Sequence, residues 1–503
     1  MSITDQTFEQ FKAAVHAENE IRKAAGVTVN IATGLVAYDL QAPAKNLYPV
    51  NTPILATLPR VGGGTGTATN WRQITAITGS GYDASGWVPE GVRAGAMSLT
   101  ETNQLATYVT IGEEEAVTFE AESAARGFED ILATSAMRLL QKMRLKEEHA
   151  VLGGNTGVAL GTTGTPTTSA SGSGATLPTL TYDVVCVALT YEGYNNWKAA
   201  GSSIVTGLVQ TKTVNSQDGS TFVLNGGYAQ KSAIAQQAVT LGQTLFCSVA
   251  AVTGAVAYAW YVGGAAAAKF EKVTFINSAT FTAPLAGTGQ TASSLAATDY
   301  SRNTTVPAFN GLLYSAWTTS SGAYINTLAT GTAGTGTLLT TNGRGGVTEI
   351  DTMLQTMWDN YQVSPTAIFV NSQQLKDITN RALGNTANSP LVRMNGEAQT
   401  NFMAGNVVDT YFNPFATNGG YKIPIRVHPT LPPGTILGWC DNLPVQYQSN
   451  NVPNVAEIKT RKDYYQIVWP LVTRAHQTGV YAEEVLAVYF PPAIGIITNV
   501  APG

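Results

Sequence analysis

Apolar and small residues recur at Phe128, Ile131, Leu132, Ser135, Ala136, Leu139, Leu140 and Met143. That is the i, i+3, i+4 spacing of a helix with one buried face, and it predicts one long helix over residues 128–155. Glu129 and Asp130 fall in its first turn, Arg138, Lys142, Arg144 and Lys146 come later, and Gly153-Gly154 supply the stop, an order that suits the helix dipole and a glycine C-terminus. At 1.5 Å per residue the helix spans roughly 37 Å, more than one compact domain usually needs. A second amphipathic helix fits the N-terminus, with Phe11, Ala14, Ala17, Ile21 and Ala24 on one face and Gly26 as its stop. It lacks the apolar core of a signal peptide. A third opens at Thr348, with Glu349 and Asp351 in the first turn and Ile350, Leu354, Met357 and Trp358 on its face. Pro365 then starts a buried strand, 367–370, and Asn371 or Ser372 caps another short helix.

Between these helices the period shortens to that of strands. Residues 27–31 alternate briefly. Residues 47–60 carry Pro49, Pro53 and Pro59 between aliphatic side chains, an extended arm that cannot make its own core. Residues 71–77 and 104–111 are β-rich and flank a glycine-rich tip at 79–97. A hairpin this long is marginal in water by itself, so it is expected to rest on a neighbouring subunit. Residues 161–176 collapse to Gly, Thr, Ser, Ala and Pro, the composition of a flexible linker. Apolar runs at 184–189, 203–209 and 221–224 follow, separated by turn signals. Cys247 precedes Trp260 by thirteen residues, a spacing that resembles the second and third strands of an immunoglobulin-like sandwich. No partner cysteine follows within that unit, so Cys247 is read as a small buried hydrophobe. Residues 273–281 supply a further strand. The uncharged stretch 249–268 is interrupted by Gly254, Gly263 and Gly264, and two buried strands with a turn explain it better than a spanning helix. The last sixty residues read as closing strands.

Composition narrows the class. A chain of 503 residues holds several folding units. Only 12% of residues are charged and 50 are glycine, which suggests a β-rich protein with much of its surface covered by partners. The net charge of −5 and pI near 5.5 argue against a broad basic face for nucleic acid. Three cysteines without a CxxC pair imply a reduced setting and no disulfide framework.

Nothing in the sequence looks catalytic, and no metal or cofactor is implied. The four histidines, His16, His149, His428 and His476, form neither HExxH nor a paired metal spacing. His149, near a helix C-terminus, is expected to be structural, with its charged form favoured by the dipole. Glu113-Glu114-Glu115, Glu147-Glu148 and Glu483-Glu484 read as solvated or interface charge runs. There is no nucleophile elbow, G-x-G-x-x-G or Walker lysine. Arg344 is a lone candidate for touching nucleic acid.

The order of these elements resembles the major capsid proteins of tailed bacteriophages with the Hong Kong 97 fold. The carrying features are the long helix ending in EEHAVLGGN, the hairpin just before it, and the run from 348 to a strand reaching the Gly438–Asp441 turn. The resemblance implies an α+β chain: N-terminal arm 1–60, extended loop 61–112, spine helix and peripheral domain 113–164, inserted all-β Ig-like sandwich 165–300, axial domain 301–442 and closing peripheral strands 443–503. It implies a non-enzymatic protein assembled in the host cytoplasm into the virion's icosahedral head around double-stranded DNA. Its partners would be copies of itself in hexamers and pentamers, a portal, a scaffolding protein, a decoration protein and, weakly, DNA, with no membrane. No lysine lies between Lys45 and Lys142, so the loop lacks the nucleophile of the covalent crosslink known in some members. The alternatives are an encapsulin-type compartment shell and a tail or surface adhesion protein built around the Ig-like module.

Overall fold

The computed structural model describes residues 9–10, 12–16, 49–79, 86–126, 129–343, 345–383, 408–416, 419–443 and 454–502. The chain divides into two units, residues 1–48 with 123–130, and residues 49–122 with 131–503. In the first unit residues 9–10 and 12–16 are helical, and Lys12 pairs with Glu9 at 3.2 Å. Most of the helix expected before Gly26, the strand expected at 27–31, and Arg344 lie outside the described residues.

The larger unit opens with β1 (Arg60–Val61), β2 (Ala68–Thr78), β3 (Ser98–Thr107) and β4 (Val109–Thr118), then α1 (Phe119–Ala125), whose last three residues are counted with the first unit, and α2 (Ile131–Gly153). Its middle holds β5 (Thr167–Ser171), β6 (Leu180–Leu189), α3 (Tyr191–Ala199), β7 (Thr211–Asn215), β8 (Thr221–Asn225) and β9 (Ala235–Val239). There follow β10 (Thr244–Ser248), β11 (Ala257–Gly263), β12 (Lys269–Thr274) and β13 (Ser278–Phe281). Next come α4 (Leu312–Trp317), β14 (Tyr324–Thr327), α5 (Thr348–Tyr361), β15 (Ala367–Val370) and α6 (Ser372–Leu383). The chain closes with β16 (Thr410–Asn413), β17 (Tyr421–Val427), β18 (Ile436–Trp439), β19 (Ala456–Val468), β20 (Ala475–Val488) and β21 (Ile494–Thr498). It is an α+β chain, and hairpin, long helix, central sheet and long closing hairpin stand in the order expected of the Hong Kong 97-type fold.

The long helix packs on a sheet of order β1-β19-β20-β4. Its buried stripe is Ser135, Leu139, Met143 and Glu147, at steps of four. Leu139 and Met143 meet Val480 and Ala482 of β20. Leu132 and Leu140, expected inside, are exposed, because the helix presents only a narrow stripe to the sheet. The helix ends at Gly153, where Tyr191 lies so close that a Cβ would overlap its ring. Strand β4 pairs with β20 and not with β2, so the hairpin's second arm ends at Thr107 and Ile111 belongs to the sheet beneath α2.

The Gly-Ser-Thr stretch at 161–176 is not a linker. Strand β5 pairs antiparallel with β10, and Leu177 just beyond it is fully buried. Small side chains at alternate positions let an edge strand lie close on its neighbour, a pattern that composition alone hides. Sheet β13-β10-β5 faces sheet β12-β11-β6-β9 over Val184, Cys186, Leu245, Cys247, Tyr258 and Trp260. The far side of the second sheet, with Val187, Ala259 and Tyr261, joins the main core beside Tyr228, Phe270 and Tyr314. Strands β6 and β11 are thus buried on both faces, which is why they read as unbroken apolar runs.

Four further expectations are corrected. Residues 203–209 form turns instead of a strand, with Gly207 at φ +65° and its neighbour Leu208 bonded to Gln290. Residues 273–281 break into β12 and β13, which belong to opposite sheets. Within 249–268 there is one strand, β11, preceded by a loop; no helix among the described residues is long and apolar enough to cross a membrane. The last strand, β21, sits in the six-stranded sheet β14-β21-β18-β15-β17-β16 and not with β19 and β20, its five residues all buried. Helix α5 covers that sheet with Ile350, Met353, Leu354 and Met357, and the Asn371 side chain caps α6 by accepting from the Gln373 N–H at 3.0 Å.

Candidate assembly surface

The β2–β3 hairpin has two unlike faces. On one, Trp71 packs edge-on against Tyr489 with ring centroids 5.1 Å apart, and Gln73 donates to the Tyr489 carbonyl at 2.8 Å. On the other, Ile77 stands directly opposite Leu99, and Ile74 opposite Glu101. Ile74, Ile77, Leu99 and Leu105 are all exposed. The Arg72–Glu101 pair, at 2.9 Å, and Asn70 and Asn103 interrupt that apolar strip. Beyond the strands, Trp87 is 93% exposed, with Val88, Val92 and Met97 near it in sequence and also exposed. A row of large apolar side chains along a two-stranded ribbon is a surface that awaits a partner. A second such group is the β19–β20 turn, where Val468, Trp469, Leu471 and Val472 are exposed.

At the foot of the hairpin a cleft of about 260 Å³ opens between β2–β3 and α4, lined by Trp71, Gln104, Phe309, Asn310, Thr318 and Ser321. Its walls are polar and anchored: Asn310 Oδ1 accepts from Thr156 and Gly157 N–H at 2.8 and 3.0 Å. The exposed apolar strip therefore projects from a fixed base.

Of the acidic runs, Glu147, Glu148 and Glu484 prove to be internal. Glu147 and Glu148 are buried. Glu148 accepts from the N–H groups of Ile54 and Leu55, both at 2.9 Å, and lies 2.7 Å from His428 Nε2. The proline-punctuated residues 49–61 are thus fixed on the end of α2, with Ile54 and Leu58 in the main core. Thr430 links the cluster onward, touching His428 Nδ1 at 3.2 Å and the Tyr191 hydroxyl at 2.6 Å. His149 lies 3.3 Å from that hydroxyl. Burial, with His428 beside it, drives its pKa down to about 4, so desolvation overrides the helix dipole and the ring is neutral near pH 7. Glu484 is buried too, whereas Glu483 pairs with Arg461 at 2.6 Å.

Glu113, Glu114 and Glu115 lie on β4 and each has a partner in the chain. Glu113 pairs with Lys146, Glu114 with Tyr481 and Trp469, and Glu115 with Ser135 at 2.7 Å. They form no free charge run. No group of three or more His, Cys, Asp or Glu among the described residues could hold a metal. Cys186, Cys247 and Cys440 are all free and buried. The acidic pairs are visible in the sequence but their burial is not; for Glu147 the missed signal was its register, four residues on from Met143 along the buried stripe.

Residues 286–441 match the family model described as SU10 major capsid protein. That segment runs from the end of the middle sheets through β18. No curated protein matches the sequence. Among solved structures, the chain is similar to the capsid of an empty GTA particle at 9% identity and TM-score 0.44, covering 94% of this chain and 100% of that one. It is similar to Mycobacterium phage Bobi at 12% identity and TM-score 0.39, covering 93% and 96%. It is also similar to the SrpI encapsulin of Synechococcus elongatus PCC 7942 at 9% identity and TM-score 0.40, covering 94% and 96%.

Proposed function

We propose that this chain is the major capsid protein of a tailed phage or prophage and acts without catalysis, by assembling with copies of itself into an icosahedral head around double-stranded DNA. The family match over residues 286–441 carries the reading. The hairpin supports it: a rigid base holds an apolar strip clear of its own core, as a subunit needs when a neighbour supplies the other half of the contact. Residues 1–60 would be the arm, 61–112 the extended loop, 113–164 the spine and peripheral region, 165–300 the Ig-like unit, 301–442 the axial domain and 443–503 the closing strands, with β21 handed to the axial sheet. The facing positions of Cys247 and Trp260 across the two middle sheets favour the Ig-like assignment. Portal, scaffolding and decoration proteins would be further partners, DNA a weak one, with assembly in the host cytoplasm and the virion as final location.

Electron microscopy of the expressed chain tests this. Closed polyhedral shells without protein cargo are expected. Tubes or dispersed monomers under all assembly conditions would overturn the reading, and a shell filled with an enzyme would make the chain a compartment protein.

A further inference from the structure

Where residues 49–61 meet the sheet, the charges do not balance. Glu147 of α2 and Glu484 of β20 have side chains with 0% exposure, and one guanidinium, that of Arg60, contacts both. Its Nη2 lies 2.6 Å from Glu484 Oε2, and its Nε lies 2.8 Å from Asp463, which is exposed to water. The Tyr464 ring stacks beneath the guanidinium at 4.4 Å, and its hydroxyl donates to Glu147. Glu484 Oε1 is buried and receives no hydrogen bond among the described residues. The other charges nearby do not neutralise the site. Arg144 is exposed and lines, with Arg60 and Glu147, a cavity of about 210 Å³, but among the described residues no ion pair joins it to either carboxylate. Arg461 is taken by Glu483, Lys146 by Glu113, and His428 by Glu148.

Two ionised carboxylates against one guanidinium would leave an uncompensated negative charge out of water, which costs far more than a shared proton. We propose that Glu147 and Glu484 form a proton-holding carboxyl pair that latches residues 49–61, through Arg60, onto α2 and β20. With the proton in place the site is neutral and the segment is docked. Without it one carboxylate repels the other, and the segment loosens. Burial first, and then the charge of Glu147, push the Glu484 carboxyl up to about 8 against the pull of Arg60, as expected for carboxyls crowded together in a dry site. The sign follows. The docked state keeps a proton that the undocked state releases, so docking weakens as pH rises above the ordinary carboxyl range and levels off once the docked pair has itself ionised.

The test is amide-exchange protection of residues 49–61 in the full-length protein from about pH 6 to about pH 9, corrected for intrinsic exchange, in wild type and in Glu484→Gln. In wild type the docking constant should fall by roughly tenfold per pH unit in the lower part of that range and flatten at its top. Glu484→Gln keeps the shape and removes the titration, so its protection should be flat with pH and exceed wild type at the alkaline end. Wild-type protection that does not change with pH would overturn the proposal, as would a variant that loses protection just as the parent does. Should the variant not fold, infrared spectroscopy of the wild type decides. A protonated-carboxyl band that persists at neutral pH and vanishes on alkalinisation supports the latch; its absence at neutral pH rejects it.

Discussion

The β2–β3 hairpin and the β6–β11 strand pair are both antiparallel ribbons rich in large apolar side chains, yet they use them in opposite ways. Strands β6 and β11 are buried on both faces, one against β10 and β13 and the other against the main core. The hairpin has one face tied at its base by Trp71 and Gln73 and the other in solvent. The first ribbon is stabilised within the chain. The second carries apolar area that its own chain leaves uncovered, and at about 25 cal/mol per Å² that area is worth something only when another surface meets it. The same residue types therefore report stability in one place and association in the other. Substitution should separate the two.

The largest effect is expected at Trp260. Its side chain is fully buried between the middle sheets, and its Nε1 donates to Thr274 Oγ1 at 2.8 Å. Trp260→Ala should cost about 3–5 kcal/mol of unfolding free energy in denaturant titration. Trp87→Ala, at 93% exposure, should stay within about 0.5 kcal/mol. Comparable losses at the two tryptophans would erase the distinction between the ribbons.

The distinction was partly legible in the sequence. Residues 184–189 and 257–262 are unbroken apolar runs, and burial on both faces is their plain meaning. The hairpin strands mix apolar, Thr, Asn and Gln residues, and the idea that they need a neighbour follows from the absence of anything in the sequence to cover them. The long helix, α5, the 367–370 strand and the cap at Asn371 were all readable from local spacing and end signals. What was not readable depends on contacts distant in sequence. Thr168 and Ala170 look like linker until β10, some seventy-five residues on, pairs with them. Glu147, Glu148 and Glu484 look solvated because charged residues usually are. Only the meeting of α2 with β20 and Arg60 shows otherwise. β21 looks like a continuation of β20, and the turn at Pro491-Pro492 redirects it into another sheet.

A middle-sized effect is expected where the buried region meets the helix. His149 is held neutral, with a pKa driven to about 4 by burial and by His428, while an unfolded histidine titrates near 6.5. The unfolded state therefore binds a proton that the folded state refuses, and stability falls as pH drops from about 6.5 to about 4, by up to about 3 kcal/mol. His149→Gln should remove most of that dependence while leaving stability at neutral pH within about 1 kcal/mol. Thermal or urea unfolding of both proteins at several acidic pH values measures it. An acid loss of equal size in the variant would show that other groups carry the effect, and that the seam between α2 and Tyr191 is not the weak point of the buried region.

The smallest effect on the isolated chain, and the one that separates the two ribbons most cleanly, belongs to the cross-strand pair Ile77 and Leu99. They stand opposite each other on the solvent face of the hairpin. Changing both to serine removes apolar area that is already wet, so unfolding free energy should move by no more than about 0.5 kcal/mol. The register should hold, because Trp71 and Gln73 fix the base from the other face. Assembly should respond differently. If a second copy covers this strip, each subunit of the double variant loses two buried aliphatic contacts, about 1.5–3 kcal/mol apiece when fully covered. Repeated around a closed shell, that is enough to raise the concentration needed for assembly many-fold. Light scattering against protein concentration, read beside denaturant unfolding of the same samples, makes the comparison. A double variant that assembles like the parent would mean the strip faces water in the particle. One that loses 2 kcal/mol or more of unfolding free energy as a monomer would mean that the hairpin packs on its own chain after all.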